Sequence, residues 1–319
     1  MIDGLTRTYL EAADKALPGY VRGLYVVGSA ALGAWQPGVS DVDTVIMTSR
    51  PATGDDLAQL VKVHAEMPRS PHLDGVYLEP ALVKSWPSDR QVLPFVVNGE
   101  LRTDEPCGEL SPVLWLTLQR YGIPVRGPAV TELGVRVDQE QLHRYNLDNL
   151  RDYWQAMVST FPSEPADGGT EAAVDAEMVV WLVLGPARLH YTLARGDIIS
   201  KAAAGDYLAH LFPEYADLAH RAVGWRSGEA EQFTTTDLVA AGKSVNAVAE
   251  DAWRRFAGKN VLARHADSLV DCASVAPLSA VGTPPSSPVR TAALPESHRS
   301  STMSAVIRHP WAPRRRWVV

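Results

Sequence analysis

The residues with the clearest chemical potential lie between positions 28 and 43. Gly28 and Ser29 follow a short apolar run, and Asp41 and Asp43 stand in a second run rich in β-branched residues. On an extended strand, residues two apart project from the same face, so both carboxylates are expected to point in one direction. Two hard oxygen ligands at this spacing suit Mg²⁺, which keeps waters and phosphate oxygens as its other ligands.

The Gly28-Ser29 turn is the natural counterpart of this acidic pair. Gly28 permits a sharp turn out of the first strand, and Ser29 offers a hydroxyl and a backbone N–H at the start of a short helix, a place that attracts phosphate. A Gly-Ser turn or an Asp-x-Asp alone commonly marks a plain turn or a capping position. Together, between two predicted strands, they predict a site for a metal-bound phosphate.

Alternating strands and helices are expected to position this site. The runs 20–28 and 39–47 predict two paired strands, and residues 55–67 have the apolar spacing of a helix. LDGVYLEP from Leu73 predicts a third strand, and a helix around Arg120 should stop at Gly122 and Pro124. The first half therefore reads as an α/β layer.

The second half has helical periodicity throughout. Helices are predicted over 138–161, over 171–195 with an interruption at Gly185-Pro186, from a Ser200 cap to Pro213, and over about 237–269. Gly196 is the expected C-cap of the second. We predict an α+β chain: a nucleotide-binding domain with a small mixed sheet (1–135), an all-α bundle (136–270) and a disordered tail rich in Pro, Ser and Arg (271–319).

Composition and charge narrow the function classes. The 319 residues are 46% hydrophobic and 21% charged, as in ordinary globular proteins. The net charge is −7, but residues 275–319 contain six Arg and one Glu, so the remaining chain is at −12, which argues against a nucleic-acid groove. Two cysteines and the lack of an apolar leader or span predict a cytoplasmic protein without membrane contact.

These motifs resemble the nucleotidyltransferase superfamily, whose core motif is Gly-Ser, a gap of about ten residues and Asp-x-Asp. More closely, the chain is similar to aminoglycoside adenylyltransferases of the streptomycin and spectinomycin type. The helical half carries the matching stretch Arg188-Leu189-His190-Tyr191 followed by residues 192–201, and the turn Val125-Arg126-Gly127-Pro128 is also typical.

The resemblance implies roles for individual residues. Ser29 would contact the β- and γ-phosphates of ATP, with Gly28 and Ser40 also in the nucleotide site. Asp41 and Asp43 would bind Mg²⁺, and Arg188 and Lys201 from the helical half would bind the phosphates across a cleft. Cations and metal would then oppose the charge that spreads in the transition state.

The resemblance also implies a general base from the third strand. The family supplies a Glu there, and the matching residue is Asp74, which is one methylene shorter. Glu79, at the far end of the same strand, is the substitute, and Asp74-Gly75 is equally compatible with a plain turn.

The acceptor-binding residues differ from those of the antibiotic-modifying members, which leaves the same drugs or another hydroxyl compound as the acceptor. They place an Asp and an Asn ahead of the Arg188 position, where this chain has Met178-Val179-Val180-Trp181. Apolar residues do not pair with ammonium groups, so Asp175 and Glu177, one turn away, are the candidates for acceptor binding.

The sequence thus predicts a monomeric, Mg²⁺-dependent enzyme that transfers AMP from ATP to a hydroxyl of a small molecule, with an aminoglycoside or spectinomycin-like antibiotic as one candidate acceptor. Two alternatives remain open. One is a nucleotide-binding regulator with impaired catalysis. The other is an adenylyltransferase that modifies a partner protein, against which the extensive helical half argues.

Overall fold

A mixed β-sheet forms the first part of the structure, a computed structural model that describes residues 1–84, 91–161, 164 and 172–258. The strands in chain order are β1 (Val21–Val26), β2 (Val42–Thr48), β3 (Leu73–Leu78), β4 (Phe95–Val97), β5 (Glu100–Arg102) and β6 (Ile123–Arg126). Their spatial order is β5-β4-β3-β2-β1-β6. β2 and β3 run parallel, whereas β1 pairs antiparallel with both β2 and β6.

Helices cover both faces of this sheet. They are α1 (Ile2–Ala16), α2 (Gly28–Ala31), α3 (Gly54–Ala65), α4 (Pro80–Lys84) and α5 (Pro112–Tyr121). Alternate residues of β1 separate the two faces: Leu24 and Val26 join a core with α1 and α3, whereas Tyr25 joins the core that contains α5. The core on the α5 side continues into the helical domain.

The helical domain follows a short 3₁₀ turn at Val130–Glu132. Its helices are α6 (Gln139–Asp148), α7 (Ala156–Val158), α8 (Ala176–Arg195), α9 (Lys201–Leu211), α10 (Ala216–Arg226) and α11 (Thr235–Phe256), with a π-helical segment over Asn149–Gln155 between α6 and α7. The described residues of the sheet and helical domains belong to one compact unit. Within these residues, no helix combines the length and apolarity needed to cross a membrane.

The predicted α+β class is confirmed, with a small mixed sheet followed by an all-α domain. The paired strands β1 and β2 and the third strand β3 also lie where the sequence predicts them. The boundary at residues 135 and 136 stays a prediction, and the predicted disordered tail lies outside the described residues.

Two local predictions about the second half of the chain are wrong. α8 is continuous through Pro186, because the residues on both sides of the proline are buried in the core. Gly185 packs closely against Trp154, where a Cβ would lie 2.6 Å from Cζ2 of the indole ring. α8 also starts later than predicted, at Ala176, where the side chain of Asp175 caps its first turn. The Gly196 C-cap is confirmed by its left-handed φ of 64°.

The stretch predicted as a turn at 125–128 is wrong in part, because β6 extends to Arg126 as an edge strand. Pro124 is compatible with an edge position, where one side of the strand needs no ladder partner. The N-terminal helix α1 and the helix α10 were not predicted at all.

Candidate active site

Asp43 and Asp74 stand side by side on the parallel strands β2 and β3. They are register partners, and each shares its strand face with residues of the α5-side core, Val45 on β2 and Val76 on β3. Both carboxylates therefore point to the face that the helical domain covers. They line a cavity of about 20 Å³, large enough for about one water molecule, together with Glu109.

Gly28 lies directly against Asp43, as the sequence predicts for the turn and the acidic pair. The N–H of Val27 donates to the carbonyl of Asp43 at 2.9 Å, which fixes the turn to β2. Gly28 has a φ of 60°, and a Cβ at this position would lie 2.7 Å from Cγ of Asp43. Only glycine permits both the left-handed backbone and this close approach.

Asp41 completes the acidic group but lies just before β2, which begins at Val42. The prediction that both acids are residues of one strand is therefore wrong for Asp41. Its carboxylate accepts a hydrogen bond from the backbone N–H of His72 at 3.1 Å. That bond fixes Asp41 to the chain just ahead of β3, and the charge of Asp41 adds to burial in raising the pKa of both Asp43 and Asp74.

The electrostatic environment of Asp43 contains charges from both domains. Burial raises the pKa of Asp43 well above its usual range, the cation of Lys201 lowers it, the carboxylates of Asp74 and Asp41 raise it, and the cation of Arg188 lowers it. The structure thus brings the two predicted cations of the helical domain to the predicted acids of the sheet domain. This arrangement favours a divalent cation next to Asp43 and an anion between the cations and that metal.

Arg188 is almost fully buried, with 6% of its surface exposed. Its Nε donates to the carbonyl of Ile199 at 3.0 Å. Burial lowers the pKa of Arg188 to about 10, with Asp43 raising it and Arg226 lowering it, so the guanidinium stays charged at neutral pH. A buried cation held in this way is suited to a multiply charged phosphate.

Asp74 is 1% exposed and anchors the turn between β4 and β5. Its two carboxylate oxygens accept the backbone N–H groups of Asn98 and Gly99, each at 2.8 Å. Burial raises the pKa of Asp74 to about 6, although those two hydrogen bonds lower it. A pKa near neutrality suits a general base. Each oxygen keeps a second lone pair for the proton of an acceptor.

Glu79 is not a substitute for Asp74. It follows the last residue of β3, five residues from Asp74, which corresponds to about 16 Å along a strand. Glu79 lies at the opposite end of the sheet, where it lines a different cavity with Tyr20 and Thr48.

The two serines of the predicted nucleotide site have different surroundings. Ser29 is a half-buried residue of α2, a helix of only four residues that follows β1. Ser40 is buried, and its Oγ accepts the backbone N–H of Gln36 at 3.2 Å. The structure therefore places the Ser40 hydroxyl in the loop that leads to Asp41, as a turn-closing group.

The predicted acceptor residues lie at the exposed start of α8. Asp175 caps the helix by accepting the N–H of Glu177 at 3.0 Å. Burial lowers the pKa of the half-buried Arg226, and the charge of Glu177 offsets part of that shift. Trp181 packs on Trp154 with ring centroids 4.4 Å apart, so this part of α8 packs against the hydrophobic core.

Sequence reasoning missed Glu109 as a site residue. It stands two residues before the N-cap of α5, Ser111, in a segment that carries no motif, and only the fold brings it to the cavity beside Asp43 and Asp74. No local signal could have found it.

The donor set fits a magnesium ion that the protein ligates only in part. Within the described ranges, no three His, Cys, Asp or Glu side chains are arranged as a complete metal site. Asp41 and Asp43 offer carboxylate oxygens, the type of ligand that Mg²⁺ accepts alongside waters and substrate phosphates. Phosphate oxygens would complete such a site.

Comparison with known families identifies the same two parts of the chain. Residues 7–79 match the nucleotidyltransferase domain, and residues 149–251 match the C-terminal domain of aminoglycoside adenylyltransferases. Fold and site thus define a nucleotidyltransferase enzyme. Within that class, the chain belongs with the nucleotidyltransferases that carry an aminoglycoside adenylyltransferase C-terminal domain.

Nine chains of solved structures match this fold. One is the spectinomycin adenyltransferase AAD(9) from Enterococcus faecialis, solved with ATP and spectinomycin. It is 16% identical, with a TM-score of 0.58, and the match covers 78% of this chain and 98% of that one. No curated protein matches the sequence.

Proposed function

We propose that the protein transfers AMP from ATP to a hydroxyl group of a small molecule in a magnesium-dependent reaction. The observation that carries the proposal is the position of Asp43, which lies beside Gly28 and Asp74 and within the electrostatic reach of Lys201 and Arg188. Acids for a metal and cations for phosphates therefore converge from two domains, as phosphoryl-type transfer requires.

Each residue has a separate task in this proposal. Asp41 and Asp43 would hold Mg²⁺, which supplies charge neutralisation on the phosphate oxygens when bound. Arg188 and Lys201 bind the phosphates from the opposite side, and Ser29 donates to them from the turn. The cations orient the nucleotide and offset the negative charge that is carried away with pyrophosphate.

Asp74 is proposed to take the proton of the acceptor hydroxyl. The acceptor oxygen forms a bond with the α-phosphorus, and the bond from that phosphorus to the oxygen bridging to the β-phosphate breaks. The electron pair of the broken bond leaves with pyrophosphate, and the hydroxyl proton goes to the Asp74 carboxylate. A carboxylate with a pKa of about 6 accepts that proton at neutral pH.

Aminoglycosides and spectinomycin are the first acceptors to test. The matched C-terminal domain and the fold shared with AAD(9) support this choice. Asp175 and Glu177 stay the proposed acceptor residues on α8, and Glu109 adds a carboxylate at the cavity.

The experiment incubates the full chain with α-labelled ATP, Mg²⁺ and a panel of aminoglycosides and spectinomycin. Label should move to at least one compound, with release of unlabelled pyrophosphate, and Asp43→Asn should abolish the transfer while the thermal unfolding transition persists. Transfer undiminished in Asp43→Asn would refute the proposed metal and phosphate site. Saturable ATP binding without transfer to any compound would favour a nucleotide-binding regulator.

A further inference from the structure

The positions of Arg188 and Lys201, the two cations of the candidate site, depend on one loop, which joins α8 to α9. The loop begins at the left-handed Gly196, whose N–H donates to the carbonyl of Thr192 at 2.8 Å, and it ends at Ser200, whose Oγ accepts the N–H of Ala203 at 3.1 Å. Between them, the carbonyl of Ile199 accepts Nε of Arg188. Lys201 is the first residue of α9, so this loop positions both cations.

Asp197 fixes this loop to the sheet domain. Its Oδ1 accepts the hydroxyl of Tyr121 at 2.8 Å and forms an ion pair with Nη1 of Arg120 at 2.9 Å. The same oxygen accepts the N–H of Ile198 at 2.8 Å, which ties the interdomain contact to the loop backbone. The carbonyl of Asp197 also accepts the hydroxyl of Thr192 at 3.0 Å. We name Arg120, Tyr121 and Asp197 the interdomain clasp.

The helix that carries two residues of the clasp also reaches the acidic site. Leu114, in the first turn of α5, lines the cavity beside Asp43, and Tyr121 ends the same helix. Seven residues of α-helix span about 10 Å. α5 is therefore a rigid spacer between the acids of the sheet domain and the loop that holds the cations.

We propose that Asp197 is a positioning residue that holds Arg188 and Lys201 at a fixed distance from Asp43, so that both cations meet the triphosphate of the nucleotide. Charged hydrogen bonds of this kind are the strong and directional ones. The geometric part of the proposal stands on the structure alone, whereas its effect on nucleotide binding rests on the proposed function.

The test compares wild type with Asp197→Ala, which removes all three bonds to the carboxylate, and Tyr121→Phe, which removes one. Hydrogen exchange should accelerate at least tenfold at Ala203 and Ala204 in Asp197→Ala, because the α9 start loses its anchor. The Kd for ATP in Mg²⁺, by titration calorimetry, should rise about tenfold in Asp197→Ala and less in Tyr121→Phe.

Asp14→Asn is the matched control. Asp14 forms an ion pair with Arg126 through two hydrogen bonds, at 2.6 and 2.7 Å. The side chains of this pair are about as exposed as those of Arg120 and Asp197 in the clasp, and Asp14 forms no hydrogen bond or ion pair with the loop. This variant should leave loop exchange and the Kd for ATP within twofold of wild type.

A positioning role also predicts non-additivity with the cation. In a background that lacks both cations, Arg188→Ala with Lys201→Ala, Asp197→Ala should weaken ATP binding by no more than a further twofold, because its effect passes through these two cations. Unchanged hydrogen exchange in Asp197→Ala overturns the proposed role of the clasp, and so does a full further tenfold loss of ATP affinity in the background that lacks both cations. Accelerated hydrogen exchange in Asp197→Ala, together with a wild type that does not bind ATP, would instead refute the proposed function and retain the clasp.

Discussion

Substitution of Gly28 by alanine tests the contact on which the acidic site depends. The new Cβ would lie 2.7 Å from Cγ of Asp43, whereas carbon atoms at their optimum are about 3.7 Å apart. The Asp43 carboxylate must therefore move by about 1 Å. A misplacement of that size in a reacting site costs about 10²-fold in rate.

Backbone strain accompanies this change, and Gly33→Ala measures it separately. Gly28 and Gly33 have φ values of 60° and 67°, but a Cβ on Gly33 would meet no atom within 4 Å. Alanine in this region costs about 1–2 kcal/mol at either position. Both variants should lose stability in thermal unfolding, Gly28→Ala more than Gly33→Ala because its Cβ also overlaps Asp43, and only Gly28→Ala should lose activity.

The assay is the initial rate of pyrophosphate release with the acceptor found by the label-transfer screen. Gly28→Ala is expected to fall about 10²-fold below wild type and Gly33→Ala to stay within about threefold. Equal rates for the two variants, at equal folded fraction, would refute the reasoning that Gly28 serves the position of Asp43.

Three further outcomes are expected. Asp74→Asn should lower kcat about 10²–10⁴-fold. In wild type, kcat should decline as the pH falls through about 6, because the Asp74 base becomes protonated. A kcat that does not fall on the acid side of the pH profile would exclude Asp74 as the base. Gly185→Ala should destabilise the protein by about 1–3 kcal/mol in thermal unfolding, because its Cβ would overlap the Trp154 ring, and an unchanged transition would contradict that packing. Glu109→Gln should raise KM for an amine-bearing acceptor while leaving the Kd for ATP unchanged; a changed Kd for ATP would place Glu109 at the nucleotide instead.

Local sequence patterns were sufficient to predict a structural feature where the segment that forms the feature also contains its sequence signal. The β-branched run around Asp43, the Gly28 turn and the Ser200 cap each combine a residue type with a backbone requirement, and the structure has them in the predicted places. The order of strands and helices follows from the same periodicities.

Features that depend on tertiary contacts could not be predicted in this way. Pro186 indicates a break, yet burial on several sides keeps α8 continuous. β6 contains a proline and exposed side chains, so only its pairing with β1 makes it a strand. Glu109 and the Asp197 clasp join residues far apart in sequence, and no spacing rule describes them.

The helix α1 is a different kind of omission, because its signal was present. Leu5, Tyr9 and Leu10 have helical spacing and form its buried face. The segment precedes the chemical motif, and its role is to cover the sheet face away from the site.

Titration calorimetry of the full chain with ATP, in excess Mg²⁺ and in excess chelator, is the most direct measurement of the central claim that Asp43 and a divalent ion bind the triphosphate together. We predict saturable binding by wild type in Mg²⁺ and a loss of at least about tenfold in affinity on chelation or in Asp43→Asn. Equal affinity with and without the metal, or an Asp43→Asn variant that binds ATP as tightly as wild type, would contradict the account.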